Sequence, residues 1–110
     1  MSERNNVVVI FVTAPDVRVA NRIAQTLVQE RLAACVNILP GVRSHYWWEG
    51  EVQESSELLM LLKARKTDVQ AVANRVRELH PYEVPEVVAA DIVGGLPSYI
   101  DWIQAETEPR

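Results

Sequence analysis

The 110-residue chain lacks several features that mark particular classes of protein. It has one cysteine, so no intrachain disulfide can form, which fits a cytoplasm-like compartment. It has no run of basic residues and a formal net charge of −4, which argues against nucleic acid or an anionic membrane as its main partner. Its longest apolar run is far too short to cross a bilayer, and its polar N-terminus precedes no signal-peptide pattern. We therefore expect a cytoplasmic protein.

The sequence also lacks the residue patterns that most enzymes need. No phosphate-binding glycine loop, no nucleophile–base–acid set and no catalytic pair of carboxylates can be assembled from it. The two histidines and the cysteine stand at unrelated positions, which is not the spacing of a metal-binding motif. We predict a protein that is not an enzyme and has no obligatory cofactor. Its length and its 48% hydrophobic content suit one domain spanning residues 1–110.

The hydrophobic periodicity predicts strands and helices in the order β-α-β-β-α-β, followed by a short helix. Residues 7–12 and 58–62 are apolar throughout, as in strands covered on both faces, so these two strands are predicted to be central. Thr67 and Gln70 have the spacing of a capping box at the start of the second helix, with Thr67 as the cap. The first helix is predicted to bury a stripe made of Val17, Ala20, Ile23, Ala24, Leu27, Val28 and Leu32.

Residues 34–48 are predicted to form an unusually long strand. Pro40 and Gly41 interrupt its alternation and indicate a bulge in an edge strand, because proline cannot donate a ladder hydrogen bond. Glu49 and Gly50 predict a tight turn into the following strand. The long strand would reach roughly 45–50 Å, against ~17–20 Å for an ordinary strand. A strand of this length overhangs a small domain, and we expect it to pair with another chain.

These elements predict an α+β, ferredoxin-like sandwich. Two β-α-β units joined by a hairpin give a four-stranded antiparallel sheet with both helices on one face. A fourth strand at residues 87–93 and a short C-terminal helix from Pro97 complete it. The second sheet face is predicted to be apolar and without helices, which calls for cover from another subunit. We therefore predict a homo-oligomer whose sheets face one another.

Three residues could bind a metal or transfer a proton, and each can also be interpreted as purely structural. Cys35 is either a small buried hydrophobic residue or a thiolate ligand. His45 alternates with polar neighbours on the hairpin and suits a surface or an interface. His80 lies at a helix end and precedes Pro81, so it is either a helix-end residue or part of a site.

Further candidates lie on the hairpin and on the connector after the second helix. Glu57 and Lys63 share strand parity but stand roughly 20 Å apart, so each would need a partner from another strand or subunit. Lys63 is alternatively a charge that ends an apolar strand. Aromatic residues at the hairpin tip suit an intersubunit contact or a ligand shelf, and the proline-stiffened connector suits binding. These residues are Tyr46, Trp47, Trp48, Tyr82, Glu83 and Glu86.

Together these stretches resemble the CutA family of divalent-cation tolerance proteins over nearly the whole chain. Glu57 followed by Leu61-Leu-Lys63 is part of the pattern. The other motifs that carry the resemblance are Thr13-Ala-Pro-Asp, Arg31-Leu-Ala-Ala-Cys-Val-Asn-Ile, Ser44-His-Tyr-Trp-Trp-Glu-Gly, His80-Pro-Tyr-Glu-Val-Pro-Glu and Tyr99-Ile-Asp-Trp-Ile.

The resemblance implies a fold related to the nitrogen-regulatory PII proteins, assembled as a cytoplasmic homotrimer. It also implies a role in tolerance of copper and other divalent cations. A copper site in some members uses a cysteine at the end of the first strand and two consecutive histidines before Pro-Tyr. This chain has Val12 at the first position and Leu79-His80 at the second, so of those ligands only His80 is present.

We therefore expect a non-enzymatic homotrimer that responds to copper(II) or another divalent cation, with His80 as the metal ligand. An intersubunit pocket is predicted to be lined by Cys35, Tyr46, Trp48, Glu57, Lys63, Tyr82 and Glu86. Two alternatives remain: a PII-like signalling module that binds a small ligand, and a protein that anchors another polypeptide. Neither alternative requires a metal.

Overall fold

The computed structural model describes residues 6–109, so residues 1–5 of the polar N-terminus and residue 110 of the predicted domain lie outside the described part. Four strands form one antiparallel sheet in the order β2-β3-β1-β4. This arrangement confirms the predicted α+β, ferredoxin-like fold with its short C-terminal helix. The elements are β1 (Val7–Ala14), α1 (Val17–Gln29), β2 (Cys35–Trp48), β3 (Glu51–Arg65), α2 (Val69–Leu79), β4 (Val87–Asp91) and α3 (Pro97–Glu106).

The main core lies between the sheet and helices α1 and α2. Strands β1 and β3 are adjacent at the centre of the sheet, as their continuous apolar runs predict. The even-numbered side chains of residues 8–14 and 58–64 face the two helices and are buried, and the helices bury their own apolar stripes against them. This core includes Ile10, Val12, Ile23, Leu27, Met60, Leu62, Val72 and Val76, none of which is exposed.

Helix α1 buries a narrower stripe than the sequence predicts. Ala20, Ile23 and Leu27 are fully buried, whereas Val17 is 57% exposed and Val28 is 42% exposed. At 3.6 residues per turn, Val17 and Val28 lie roughly 90–110° from the centre of the buried face. The prediction that these two valines face the core is therefore wrong.

The predicted capping box at the start of α2 is also wrong. A short 3-10 turn, Lys66–Asp68, precedes the helix, and the N-cap position is Asp68 instead of Thr67. The side-chain amide of Gln70 donates to Asn74 Oδ1 at 3.0 Å, along the helix, instead of reaching back to the cap. Gln70 has Asn74 as a side-chain partner one helical turn ahead, so the spacing of Thr67 and Gln70 alone did not determine the cap.

Strand β2 is an edge strand with a bulge, as predicted. Its register against β3 shifts by one residue between Leu39 and Val42, and Gly41 has a φ of +79°. Beyond the bulge, β2 and the start of β3 form a hairpin closed by Glu49 and Gly50, with φ angles of 52° and 79°. This hairpin gives a small protein a long dimension of 45 Å, against 26 and 23 Å for the others.

The second face of the sheet is covered at one end only within residues 6–109. Helix α3 packs there, with Ile100 and Ile103 against Val7, so the prediction that this face lacks helices is wrong at that end. The remaining apolar side chains of this face are half-buried or exposed. They include Val9, Phe11, Leu39, Leu59, Leu61 and Val88. The helices described in residues 6–109 include none that is long and apolar enough to span a membrane.

Candidate functional site

An open cavity of about 790 Å³ lies at the end of the sheet opposite helix α3. Its walls come from the part of β2 beyond the bulge (the distal arm, residues 42–48), the C-terminal end of β1, and the connector that follows α2 (residues 80–86). The bulge in β2 determines which residues of the arm belong to the second sheet face. Five of the residues predicted for the pocket line this cavity, namely Tyr46, Trp48, Glu57, Tyr82 and Glu86.

The carboxylate of Glu57 is the most buried charge in the cavity. Glu57 is 6% exposed and precedes the apolar half of β3. Its Oε2 atom accepts a hydrogen bond from the Tyr82 hydroxyl at 3.2 Å. No lysine, arginine or histidine within residues 6–109 forms an ion pair with it. A buried negative charge therefore has a phenol as its only polar partner in this part of the chain.

Partial burial, together with the charge of Glu57, raises the pKa of Tyr82 to about 12. The phenol therefore keeps its proton at neutral pH and remains a hydrogen-bond donor to the carboxylate. This pair joins the connector to strand β3 and holds one wall of the cavity in place.

Replacing Tyr82 by phenylalanine should reduce the sensitivity of stability to alkaline pH. Since the folded state raises the pKa of Tyr82 from 10.0 to about 12, it holds this proton more tightly than the unfolded state does. The resulting stabilisation is complete below about pH 10 and is lost as the pH rises towards 12. In urea unfolding at each pH, the wild type should lose more stability than the Y82F variant between pH 10 and 12. Parallel pH profiles would contradict this assignment.

His80 joins the connector to the end of β1. Its ring is 6% exposed, and Nε2 lies 2.7 Å from the carbonyl oxygen of Thr13. Nδ1 accepts a hydrogen bond from the backbone N–H of Tyr82 at 3.1 Å, which places the ring proton on Nε2. The ring also contacts the Tyr82 ring, with centroids 4.6 Å apart. Both ring nitrogens are thus engaged with the backbone.

Cys35 and Lys63 lie outside this cavity in the single chain. They pair with each other across β2 and β3, and Lys63 donates to the side-chain oxygen of Asn37. Lys63 is six residues from Glu57 along β3, a separation of roughly 20 Å. The structure of one chain therefore divides the seven predicted pocket residues into two groups at opposite ends of the same sheet face.

Two polar contacts at the cavity were not predicted from the sequence. The carbonyl of Thr13 holds His80, and the hydroxyls of Tyr46 and Ser55 lie 2.7 Å apart. The hairpin register could have indicated the second contact, because the turn at Glu49 and Gly50 places Ser55 diagonally across from Tyr46. Nothing local in the sequence indicates the first contact, which joins residues 67 positions apart.

A divalent metal ion does not fit the side chains of a single subunit. Within residues 6–109, no three or more histidine, cysteine, aspartate or glutamate side chains are grouped so that they could hold an ion. His80 uses both ring nitrogens, and Cys35 lies at the far end of the sheet face. Any such ion would need ligands from other subunits or a rearranged His80 ring.

The fold and the cavity define a small ferredoxin-like α+β protein with an incompletely covered sheet face and a cavity beneath its long hairpin. The sequence profile of a known family, described as the CutA1 divalent ion tolerance protein, matches residues 8–106. The chain belongs to this family, and the resemblance inferred from its motifs is confirmed.

Two curated relatives show how closely the sequence follows the family. The divalent-cation tolerance protein CutA of Thermus thermophilus is 50% identical over 99 residues, covering 90% of this chain and 96% of the relative. The chloroplastic protein CutA 1 of rice is 43% identical over 100 residues, covering 91% of this chain and 56% of the relative. The chain thus spans nearly all of the first relative and about half the length of the second.

Solved structures show the same fold. The crystal structure of CutA1 from rice has a TM-score of 0.92 at 41% identity, covering 97% of this chain and 98% of that one. The periplasmic divalent cation tolerance protein CutA of Archaeoglobus fulgidus has a TM-score of 0.89 at 38% identity, covering 93% and 99%. The compartment named for the archaeal protein differs from the cytoplasm expected for this chain, so localisation stays a prediction.

Proposed function

We propose that this protein is a non-enzymatic, cytoplasmic homotrimer that takes part in tolerance of divalent cations, and that the cavity beside Glu57 is its ligand-binding site. The observation that supports the proposal best is the second sheet face, which stays apolar and partly exposed beyond helix α3. The Thermus thermophilus relative, named a divalent-cation tolerance protein, supports the biological role. The first candidate function is that the cavity binds a small ligand without metal, as in a PII-like signalling module.

Two features of the single subunit support assembly: an uncovered apolar strip on the sheet and a hairpin that extends beyond the sheet. Phe11, Leu59 and Leu61 form an apolar strip along the centre of the sheet face, and Val88 beside it is 56% exposed. Covering such a strip with the same face of another copy removes apolar area from water. The distal hairpin then extends beyond its own subunit, and its edge strand β2 can pair with a neighbouring chain. The number of three subunits is taken from the family resemblance.

The second candidate function is direct binding of copper(II) or another divalent cation, with His80 as a ligand. His80 lies behind the cavity wall and accepts a hydrogen bond from the backbone of Tyr82, whose hydroxyl donates to Glu57, and this proximity favours the candidate. One ring nitrogen would have to exchange its backbone hydrogen bond for the metal, and other subunits would have to supply further ligands.

Native mass spectrometry of metal-free protein, titrated with copper(II) and zinc(II), tests the proposal and separates the two candidates. We expect the mass of a trimer, and a monomer would overturn the proposed function. Uptake of three ions per trimer that is lost in His80→Ala but kept in His45→Ala would establish the second candidate. His45 is a suitable control because it is exposed and pairs with Glu54 at 3.2 Å. A trimer that takes up no ions supports the first candidate.

A further inference from the structure

We propose that the cavity binds a small organic cation, with a protonated amine or guanidinium group against the Glu57 carboxylate and an apolar body against the aromatic walls. This inference rests on the proposed function, because it names the class of ligand that the same cavity takes. It follows from three properties of the cavity: an uncompensated buried charge, aromatic walls, and an acidic rim.

The charge of Glu57 lacks a cationic partner within residues 6–109. Glu57 is 6% exposed as a whole residue, yet the Tyr82 hydroxyl is the hydrogen-bond donor to its carboxylate and no basic side chain pairs with it. Burying an ionised carboxylate is costly unless a positive charge or several hydrogen bonds compensate for it. A ligand that brings a positive charge would supply the missing compensation.

One oxygen of this carboxylate remains available to a ligand. Oε2 is bonded to Tyr82, whereas Oε1 forms no hydrogen bond in the described part of the chain. In that same part, no completely enclosed side-chain nitrogen or oxygen lacks a hydrogen-bond partner, so Oε1 keeps contact with the space around it. Because Glu57 lines the cavity, this oxygen can accept a hydrogen bond from an N–H group placed there.

The walls of the cavity favour an organic cation over a bare ion. The rings of Tyr46, Trp48 and Tyr82 border it and are 38%, 42% and 36% exposed. The faces of aromatic rings attract cations, and their area also suits an apolar body. A volume of about 790 Å³ lies in the range of small-molecule sites. A bare metal ion would leave most of this space and all of this apolar surface unused.

The charges around the opening have the same sign as Glu57. Glu83 and Glu86 line the cavity, and no lysine or arginine of residues 6–109 does so. The one basic side chain at its edge, His45, has Glu54 as its partner. The local field therefore favours cations over anions of similar size.

The test uses 2-phenylethylamine as the probe and 2-phenylethanol as its neutral analogue, in calorimetric titrations of the intact protein at pH 7.5. We expect the ammonium compound to bind roughly tenfold or more tightly than the alcohol, because only the ammonium pairs with the carboxylate. Glu57→Gln should remove this preference while keeping the shape of the side chain. Tyr46→Leu should weaken binding of both compounds, since it removes one aromatic wall at an exposed position.

The matched control is Glu78→Gln. This variant makes the same charge change on helix α2, away from the cavity, where Glu78 is exposed and pairs with Arg75 at 3.4 Å. It should bind 2-phenylethylamine like the wild type. Circular dichroism of each variant checks that it folds.

Four results would overturn the inference. They leave the proposed function intact, provided that native mass spectrometry shows the wild type to be a trimer. The first is equal binding of the amine and the alcohol, and the second is unchanged amine binding by folded Glu57→Gln. The third is no binding of either compound. The fourth is dissociation of folded Glu57→Gln into monomers, which would show that Glu57 serves the contact between subunits instead of a ligand. A wild-type monomer would instead overturn the proposed function.

Discussion

Replacing Leu62 by alanine is expected to lower the free energy of unfolding by about 2–5 kcal/mol, the usual cost of removing a large apolar side chain from a close-packed core. Leu62 is on the central strand β3 and is completely buried. Its even position directs it towards helices α1 and α2, where it packs in the main core. The surrounding strands are held by hydrogen bonds on both sides, so they cannot easily close the resulting cavity.

Urea unfolding at fixed protein concentration measures this loss, because the stability of an assembling protein depends on concentration. The control is Val17→Ala, which shortens an apolar side chain that is 57% exposed on helix α1, away from the second sheet face, and should change stability by about 0.5 kcal/mol or less. Leu62→Ala should not change the mass of the assembly. A loss below about 1 kcal/mol would mean that the core around Leu62 collapses into the space with little penalty.

Leu61→Asp is expected to dissociate the proposed trimer into monomers. Leu61 lies at the centre of the sheet face that the described part of the chain leaves uncovered, between Phe11 on β1 and Asn37 on β2. In a sheet-to-sheet interface, an aspartate at this position would replace an apolar contact by a buried carboxylate. Such burial is unfavourable even beside Lys63, which already donates to Asn37. Light scattering after size-exclusion chromatography gives the mass of the assembly directly.

Val17→Asp is the control for the charge itself. Val17 is 57% exposed on helix α1, away from the second sheet face, and a carboxylate in the first turn of a helix is favourable. This variant should keep the mass of the wild type. If Leu61→Asp also keeps that mass, the sheet face is not the interface, and the main structural support for the assembly is lost.

The sequence predicted the features of the fold that are set by strong local signals. Residues 7–12 and 58–62 are apolar at every position, so only central strands could bury them, and the structure places both at the centre. Pro40 and Gly41 specified the bulge because proline cannot donate a ladder hydrogen bond and glycine readily adopts the φ of +79° found at Gly41. The face chosen by α3 could not be predicted, because Ile100 and Ile103 mark a buried side of the helix without indicating which surface covers it.

The candidate site was predicted less completely, because strand parity specifies a face but not a position along it. Cys35, Glu57 and Lys63 do share one face of the sheet, as alternation predicts. The length of β3 nevertheless places Glu57 at the cavity and Lys63 near the opposite end. The connector residue Tyr82 reaches Glu57 through a contact between residues 25 positions apart, which only the folded chain brings together.

The bulge in β2 acts as a phase shift in the alternation of side chains. Before it, odd-numbered residues such as Asn37 and Leu39 face the second sheet face, and after it the even-numbered Tyr46 and Trp48 do. Loss of a single residue here would bring Arg43, His45 and Trp47 to that face in place of Ser44, Tyr46 and Trp48, adding two basic side chains and removing one of two aromatic rings. Relatives that keep an acidic, aromatic cavity should therefore change the length of this arm only by even numbers of residues. In this family, the spacing between the bulge and the hairpin tip would then be inherited as strictly as the residues themselves.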